Sequence, residues 1–405
     1  MKSNFLKSLS RFPENLYYIA FASYVLFMGI GHTMFSYGNN YTSMLMYVKL
    51  LCTALVFLKV IFSNKTNPRR AILICVTFAV LIIVFFSMNS TIPIFLMILF
   101  FGAENCDART MAKIYLYLTG TLYTITFIAS QVGIIEDRVL LRGGNSTVLR
   151  HSFGTKYVTV FGAICFFCVA VYLYLKKDKI TLKHLVIIGV LTIFVNRFTD
   201  TRLEAVSIIF LLVCVYCFKY IRSNSLLRKC LAYSIPICYI TAFGLVFLYM
   251  TNNSAFSHLD ELLSDRLSLC QKGILEYGFS LFGKVIPMQG YGTVDFDWSK
   301  GYFYLDSFFI NYTLQYGLAF VLLFLYFTHT TAKGLAKLGD WWTLLFVFFT
   351  AFHGIIISSV FDLEMSPFLY IAYAAYTNSR KTQKIVLIDY AKELTKKKRR
   401  IIKWR

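Results

Sequence analysis

Apolar residues fill nearly unbroken blocks of this chain, and polar residues collect in the short segments between them. An apolar stretch of about 20 residues is long enough to cross the hydrocarbon core of a bilayer as an α-helix. The pattern predicts an all-α, polytopic membrane protein with about twelve transmembrane helices. The fourth and last blocks are too short to cross straight, so eleven to thirteen spans fit the pattern. The blocks are 16–35, 43–62, 71–89, 91–103, 112–131, 157–175, 181–196, 203–221, 231–250, 305–328, 341–360 and 366–378.

The composition excludes a water-soluble fold. Of 405 residues, 58% are hydrophobic and only 15% are charged, which is well below the charge content of soluble domains. The formal net charge of +21 would suggest a nucleic-acid partner for a soluble protein. In a membrane protein the distribution of that charge predicts orientation instead, and we expect no nucleic acid.

Basic residues are distributed unevenly between alternate loops. With the N-terminus in the cytoplasm, 29 of the 41 Lys and Arg residues lie on the cytoplasmic side and 10 on the external side. The remaining two, Lys49 and Lys59, fall inside the second block. Because cytoplasmic loops are enriched in Lys and Arg, we predict that both termini are cytoplasmic. The first block is full length and precedes no small-residue cleavage site, so we expect it to be retained as a span.

This topology divides the chain into four parts. They are 1–250 with spans one to nine, 251–304 as the longest external loop, 305–378 with spans ten to twelve, and 379–405 as a cytoplasmic tail. Two shorter external segments, 132–156 and 196–202, lie within the first part. The tail carries 11 basic residues among apolar ones, which predicts binding to anionic lipids of the inner leaflet. A cytoplasmic protein partner is the alternative.

The sequence contains only weak indications of a metal site. Two Cys-x-x-Cys pairs lie among Phe, Val and Tyr without polar support, which is typical of buried thiols. They are Cys165 with Cys168 and Cys214 with Cys217. Asp295-Phe-Asp297 has the spacing of a cation site in many sugar-nucleotide transferases, but it lies in a Gly-rich external loop, where solvation explains it. The six histidines lack zinc-binding spacing. We expect no metal and no cofactor.

Six arginines lie on the external side, where the positive-inside bias should have removed them. They are Arg138, Arg142, Arg150, Arg197, Arg202 and Arg266. Arg202 opens a helix that Thr199 or Asp200 can cap, so the guanidinium and the helix N-terminus present positive potential together. The alternative for each arginine is contact with external lipid headgroups. The candidate substrate-binding residues are Arg142, Arg150, Arg197, His151 and His258.

Arg266 belongs to a segment with helical periodicity. Ser257-His-Leu-Asp260 is a helix-capping signature, and apolar residues follow it at i, i+3 and i+4 spacing as far as Ile274. Arg266 falls on this apolar stripe, which predicts an amphipathic helix that aims an arginine at an anion-binding cavity. A purely structural role is the alternative. Asp306 stands at the first turn of the tenth span, where partnership with the helix dipole is its alternative role.

At this point the chain resembles the superfamily of polysaccharide polymerases and O-antigen ligases, the Wzy and WaaL type, over nearly its full length in topology. The matching segments are Thr199-Asp-Thr-Arg202-Leu-Glu-Ala at a short external hairpin, Asp265-Arg266-Leu with Phe282-Gly283 in the long loop, and Leu305-Asp306-Ser-Phe-Phe through Tyr316-Gly317 at its end. Arg150-His-Ser-Phe-Gly154 resembles a polymerase segment, although the His-Pro-Asn that usually follows is absent. Asp306 stands where ligases carry histidine, which favours a polymerase.

The resemblance implies a metal-independent, inverting glycosyltransferase of the membrane-embedded C type. Its donor would be a glycan on undecaprenyl diphosphate, its acceptor a hydroxyl on another lipid-linked repeat unit, and its site the external face of the bacterial cytoplasmic membrane. Chain-length regulator and flippase proteins would be further partners. Arg202 and Arg266 would bind the diphosphate, and Asp306 would take the proton of the attacking hydroxyl. Two neighbouring arginines should lower the pKa of Asp306.

Two alternative functions stay open. One is an O-antigen-type ligase. The other is a lipid-linked oligosaccharide flippase or other transporter, which would be expected to bury charges near the membrane midplane. The external clustering of charge around one long loop favours an enzyme.

Overall fold

The computed structural model describes residues 2–37, 41–63, 68–141, 148–290, 299 and 301–381, and its helices overlap all twelve apolar blocks. Helices α1 to α16 cover Lys2–Gly31, Tyr41–Phe62, Pro68–Met88, Ile92–Gly102, Ala108–Gln131, Val158–Lys176, Leu182–Thr199, Arg202–Tyr216, Phe218–Ser223, Ser225–Ala232, Ser234–Tyr249, Ser254–Leu262, Arg266–Tyr277, Phe308–Leu338, Trp341–His353 and 368–381. Short 3-10 helices lie at Met34–Ser36 and Lys177–Lys179. Strands β1 (Val139–Leu141) and β2 (Leu149–His151) form an antiparallel hairpin, the one sheet of the described residues.

Five of the described helices are long and apolar enough to cross a membrane. They are α2, residues Ala71–Met88 of α3, α6, α7 and α14. A sixth span results if α10 and α11, which meet at 76°, form one broken helix. The chain is therefore an α-helical membrane protein. The figure of twelve spans stays a prediction, because helices such as α4 and α15 are shorter than a bilayer crossing.

Helices α6 and α14 form the centre of the bundle. In their apolar windows 61% and 67% of the residues are buried, against 22% in α2, α3 and α7. Since lipid tails are as apolar as leucine, the exposed aliphatic side chains of α2, α3 and α7 are suited to face the bilayer. The core extends to the shorter helices, where Phe100 of α4, Phe346 of α15 and Tyr370 of α16 are almost completely buried.

Helix α14 is interrupted at Gly317, whose backbone has φ 82° and ψ 167°. The segment 280–284 packs into this interruption and pairs with the backbone groups that the break leaves free. The N–H of Lys284 donates to the carbonyl of Gln315 (3.0 Å), that of Leu318 to Ser280 (3.0 Å), and that of Ala319 to Leu281 (2.9 Å). Gly317 lies nine residues into α14, about 14 Å along its axis. Irregular backbone is stable at such a depth in a membrane because protein groups satisfy it.

Two glycines make this close approach possible. Gly283 also has a positive φ, 85°, and a Cβ there would overlap the carbonyl oxygen of Gln315. A Cβ on Gly317 would overlap the backbone nitrogen of Gly283. Both glycines belong to the segments that resemble the polymerase superfamily, and in the fold they contact each other.

The loop 251–304 contains two helices where the sequence predicts one amphipathic helix. Helix α12 ends at Leu262, and α13 begins at Arg266. Ser264 and Asp265 between them adopt the left-handed conformation, with φ of 59° and 62°, which ends one helix and reorients the next. The predicted continuous stripe through Arg266 is therefore wrong. Asn253, and not Ser257, caps α12 by accepting the N–H of Ala255.

Candidate active site

Arg266 is held at the first position of α13 by a buried carboxylate. Asp260 is 4% exposed, and its Oδ1 accepts the backbone N–H groups of Leu267 (2.7 Å) and Ser268 (3.3 Å). It thereby satisfies the free amides of the helix start in place of the usual N-cap residue. Leu267 and Cys270 of α13 are buried, so the Arg266 side chain extends from a fixed helix end.

Asp306 lies two residues before α14 begins at Phe308, outside that helix. Its backbone position is fixed on both sides. The buried Leu305 accepts a hydrogen bond from Asn311 Nδ2 (3.0 Å), and Phe308 donates its N–H to the carbonyl of Gly354 (2.9 Å). These two hydrogen bonds therefore hold Asp306 in a fixed position at the start of the central helix α14.

The two residues form an ion pair. Nε of Arg266 donates to Oδ2 of Asp306 at 3.0 Å, and the side chains are 24% and 22% exposed. Burial raises the pKa of Asp306 above its ordinary value, and Arg266 offsets part of that shift. The expectation of a lowered pKa is therefore wrong, because desolvation of the carboxylate outweighs the neighbouring charge. A raised pKa makes this carboxylate a stronger base than an ordinary aspartate.

Glu204 is a member of the site that sequence reasoning missed. It lies in the first turn of α8, is 4% exposed, and is within electrostatic range of both Arg266 and Arg150. Nε of Arg150 donates to the carbonyl of Thr199, the last residue of α7. We call Arg150, Glu204, Arg266 and Asp306 the arginine–carboxylate cluster. In the sequence, Glu204 is recognisable only as an acid two residues after Arg202. It stands at a helix start, where acids are common because they interact favourably with the helix dipole.

The cluster joins strands, helices and loops that are distant in sequence. Arg150 comes from β2, Glu204 from α8, Arg266 from α13, and Asp306 from the segment before α14. Two guanidinium groups and two carboxylates nearly balance each other in charge. An anionic ligand that enters must displace a carboxylate from an arginine or bind together with a proton.

Arg202 and Arg197 form no ion pair with this cluster among the described residues. The Arg202 side chain is 59% exposed, and its Nε contacts Asp200 Oδ1 at 3.1 Å within the same turn. Asp200 has a left-handed φ of 46° and forms the C-cap of α7, which turns its carboxylate toward Arg202. Arg197 is exposed on α7. Neither arginine has an ion pair with Asp306 among the described residues, and the predicted roles of Arg202 and Arg197 in binding the substrate stay predictions.

The two candidate histidines have different surroundings. His151 Nδ1 lies 2.7 Å from Asp137 Oδ2, and its ring stacks on Phe153, so it holds the β-hairpin segment together. His258 is 80% exposed beside Glu261 at 3.4 Å. Arg142, Asp295, Asp297 and the basic tail beyond residue 381 lie outside the described residues. Among the residues that are described, no three His, Cys, Asp or Glu side chains form a group that could hold a metal.

Comparison of the chain with protein-family models, with curated proteins and with solved structures finds no match.

Proposed function

We propose that this protein is a glycosyltransferase that polymerises undecaprenyl-diphosphate-linked oligosaccharide repeat units at the external face of the bacterial cytoplasmic membrane. The observation that carries the proposal is the Arg266–Asp306 pair at the start of a central membrane helix, with Glu204 in electrostatic range of both Arg266 and Arg150. Two fixed guanidinium groups suit a diphosphate, and a carboxylate with a raised pKa suits a proton acceptor. In the proposed topology of about twelve spans, with both termini cytoplasmic, this cluster lies outside.

In the proposed reaction the donor diphosphate competes with Asp306 for Arg266. The planar guanidinium can contact two phosphate oxygens, so the ligand displaces the carboxylate and leaves it free to accept a proton. The acceptor hydroxyl attacks the anomeric carbon as the bond from that carbon to the phosphate oxygen breaks. Asp306 takes the hydroxyl proton, and the two arginines stabilise the departing diphosphate anion.

Glycan analysis of cells that lack the gene tests this proposal. Accumulation of lipid carrier bearing a single repeat unit supports a polymerase. Accumulation of full-length polymer that has not been transferred indicates an O-antigen-type ligase, and lipid-linked units retained on the cytoplasmic side indicate a flippase.

A transporter is the second candidate, and one observation favours it. Glu364 is 5% exposed, its Oε2 has no hydrogen-bond partner within the described residues, and its Oε1 lies 3.5 Å from His32. Asp362 accepts a hydrogen bond from Tyr312 (3.2 Å) and is in electrostatic range of Glu364 and Lys49. Buried charges of this kind are frequent in proton-coupled transport. In liposomes without any ion gradient, release of undecaprenyl diphosphate supports the enzyme, whereas gradient-driven movement of intact donor supports the transporter.

A further inference from the structure

An apolar groove of about 610 Å³ lies between α5, α6 and α7. This volume is within the range of ligand-binding sites, and the lining is almost entirely apolar. Along α6 the groove extends from Phe161 to Tyr172, about 16 Å of helix. The contact between the rings of Tyr172 and His184 lies at one end. The shape is a long slot and suits a chain better than a compact molecule.

The other end of the groove lies near Arg150 of the arginine–carboxylate cluster. Three groove-lining phenylalanines, Phe127, Phe161 and Phe194, contact the ring of Phe153 at 5.1, 5.1 and 6.0 Å. Phe153 follows Arg150 by three residues. Nε of Arg150 is bonded to the carbonyl of Thr199, and Thr199 Oγ1 donates to the carbonyl of the groove residue Val195. Arg150 is therefore linked through Thr199 to the end of α7 that lines the groove.

We propose that this groove binds the part of the isoprenoid chain of a polyprenyl diphosphate that is closest to the diphosphate, with the diphosphate held at Arg150 and Arg266. The identity of the chain rests on the proposed function. The structure supports this ligand through charge complementarity. A ligand with an anionic head group and one long apolar tail complements an apolar groove that has an arginine near one end. Glu204 is in electrostatic range of both arginines.

The groove also accounts for a Cys-x-x-Cys pair that the sequence leaves without a role. Cys165 and Cys168 both line the slot, and both are free thiols. Small side chains at these positions leave room for a chain, as does Gly120 on α5, where an added Cβ would meet nothing within 4 Å. A larger side chain at either cysteine should fill the slot.

Photocrosslinking tests the proposal without requiring turnover. The probe is an undecaprenyl diphosphate without sugar, with a diazirine on one of the isoprene units closest to the diphosphate, added to purified protein in phosphatidylglycerol nanodiscs. We expect labelled peptides from α5, α6 or α7, competition by undecaprenyl diphosphate, and a tenfold or greater loss of labelling in Cys165→Trp. Cys75→Trp is the matched control, because Cys75 is exposed on α3, away from the groove. Cys168→Phe is a second variant that adds less volume to the groove, and it replaces Cys165→Trp if that variant does not fold.

The possible results distinguish the proposal for the groove from the proposed glycosyltransferase function. Specific labelling of α5–α7 in a protein that transfers no glycan supports the groove and removes the proposed function. Labelling that added phospholipid displaces as well as undecaprenyl diphosphate does overturns the proposal, because the slot then holds ordinary lipid. Equal labelling of wild type and of both groove variants also overturns it. Glycan transfer with normal rates and affinities in both groove variants removes the groove and leaves the proposed function intact.

Discussion

Nε of Arg266 donates to Oδ2 of Asp306 across 3.0 Å, although 40 positions of the sequence separate the two residues. The pair joins the start of α13 to the start of α14 and so closes the loop between them. In the proposed reaction this ion pair is the resting state, and a diphosphate replaces the carboxylate at Arg266. The ion pair must therefore be stable without substrate and accessible to an incoming diphosphate. Side chains that are about one quarter exposed meet both requirements.

Arg266→Lys should be nearly as damaging as Arg266→Ala. Lysine keeps the charge but cannot present two parallel donors to two phosphate oxygens. We expect both variants to lose about 100-fold or more in polymerisation rate, about 2.7 kcal/mol. Arg222→Lys, on the exposed end of α9, is the matched control and should polymerise normally. Polymer formation near the wild-type rate in Arg266→Lys would reduce this residue to a structural partner of Asp306.

Glu204→Gln should lower both stability and activity. The substitution leaves Arg150 and Arg266 without the buried carboxylate that is in range of both, so their mutual repulsion is less compensated. We expect a loss of about 1–3 kcal/mol in the free energy of unfolding, measured by thermal denaturation in detergent. Glu261→Gln, whose side chain is 75% exposed, should leave the melting temperature unchanged. An unchanged melting temperature in Glu204→Gln would mean that the carboxylate is not coupled to these arginines.

Gly283→Ala and Gly317→Ala should each prevent the loop from packing into the break of α14. Each added Cβ meets backbone atoms that cannot move aside, and both positions have a positive φ. We expect a destabilisation of about 3 kcal/mol in each. Gly244→Ala is the control, because an added Cβ on α11 meets nothing within 4 Å. If Gly283→Ala melts like Gly244→Ala, segment 280–284 does not pair with α14 in the membrane.

Transfer should survive chelation, because arginines and not a cation are proposed to neutralise the diphosphate. Purified enzyme is treated with EDTA and its turnover is measured before and after dialysis. We expect less than a twofold change. Loss of turnover that manganese or magnesium restores would make Asp295 and Asp297 the metal ligands, and Asp295→Asn would then share the defect.

The sequence predicts the helices well and the site in part, for physical reasons. Apolar blocks determine helices directly, so every block overlaps one. Arg266 stands out because an external arginine runs against the positive-inside bias, and Asp306 stands out through the resemblance at the end of the long loop. Their pairing depends on tertiary packing that no local pattern contains. Glu204 cannot be recognised from the sequence, because an acid in the first turn of a helix is already explained by its interaction with the helix dipole. The pKa direction of Asp306 was wrong because burial, which outweighs Arg266, cannot be deduced from spacing. The break at Ser264 and Asp265 depends on two left-handed residues that are not glycine.

The pH dependence of transfer should report the Asp306 carboxylate. Its pKa is raised, so the ionised form needed to accept a proton disappears at a higher pH than for an ordinary aspartate. Turnover should therefore fall as the pH is lowered through that raised pKa. In Asp306→Asn the residual rate should lose this acid limb. An acid limb that persists unchanged in Asp306→Asn would assign it to another group.

The most direct test of the account is single-turnover transfer by Asp306→Asn, measured together with donor binding. Asparagine keeps the shape and hydrogen-bonding capacity of the side chain and removes its basicity. We predict donor binding within a few-fold of wild type and a transfer rate reduced by well over tenfold, with Asp265→Asn, beside Arg266 and exposed, transferring normally. Transfer by Asp306→Asn at more than about a tenth of the wild-type rate, a barrier change below about 1.4 kcal/mol, would contradict the role of Asp306 as the proton acceptor.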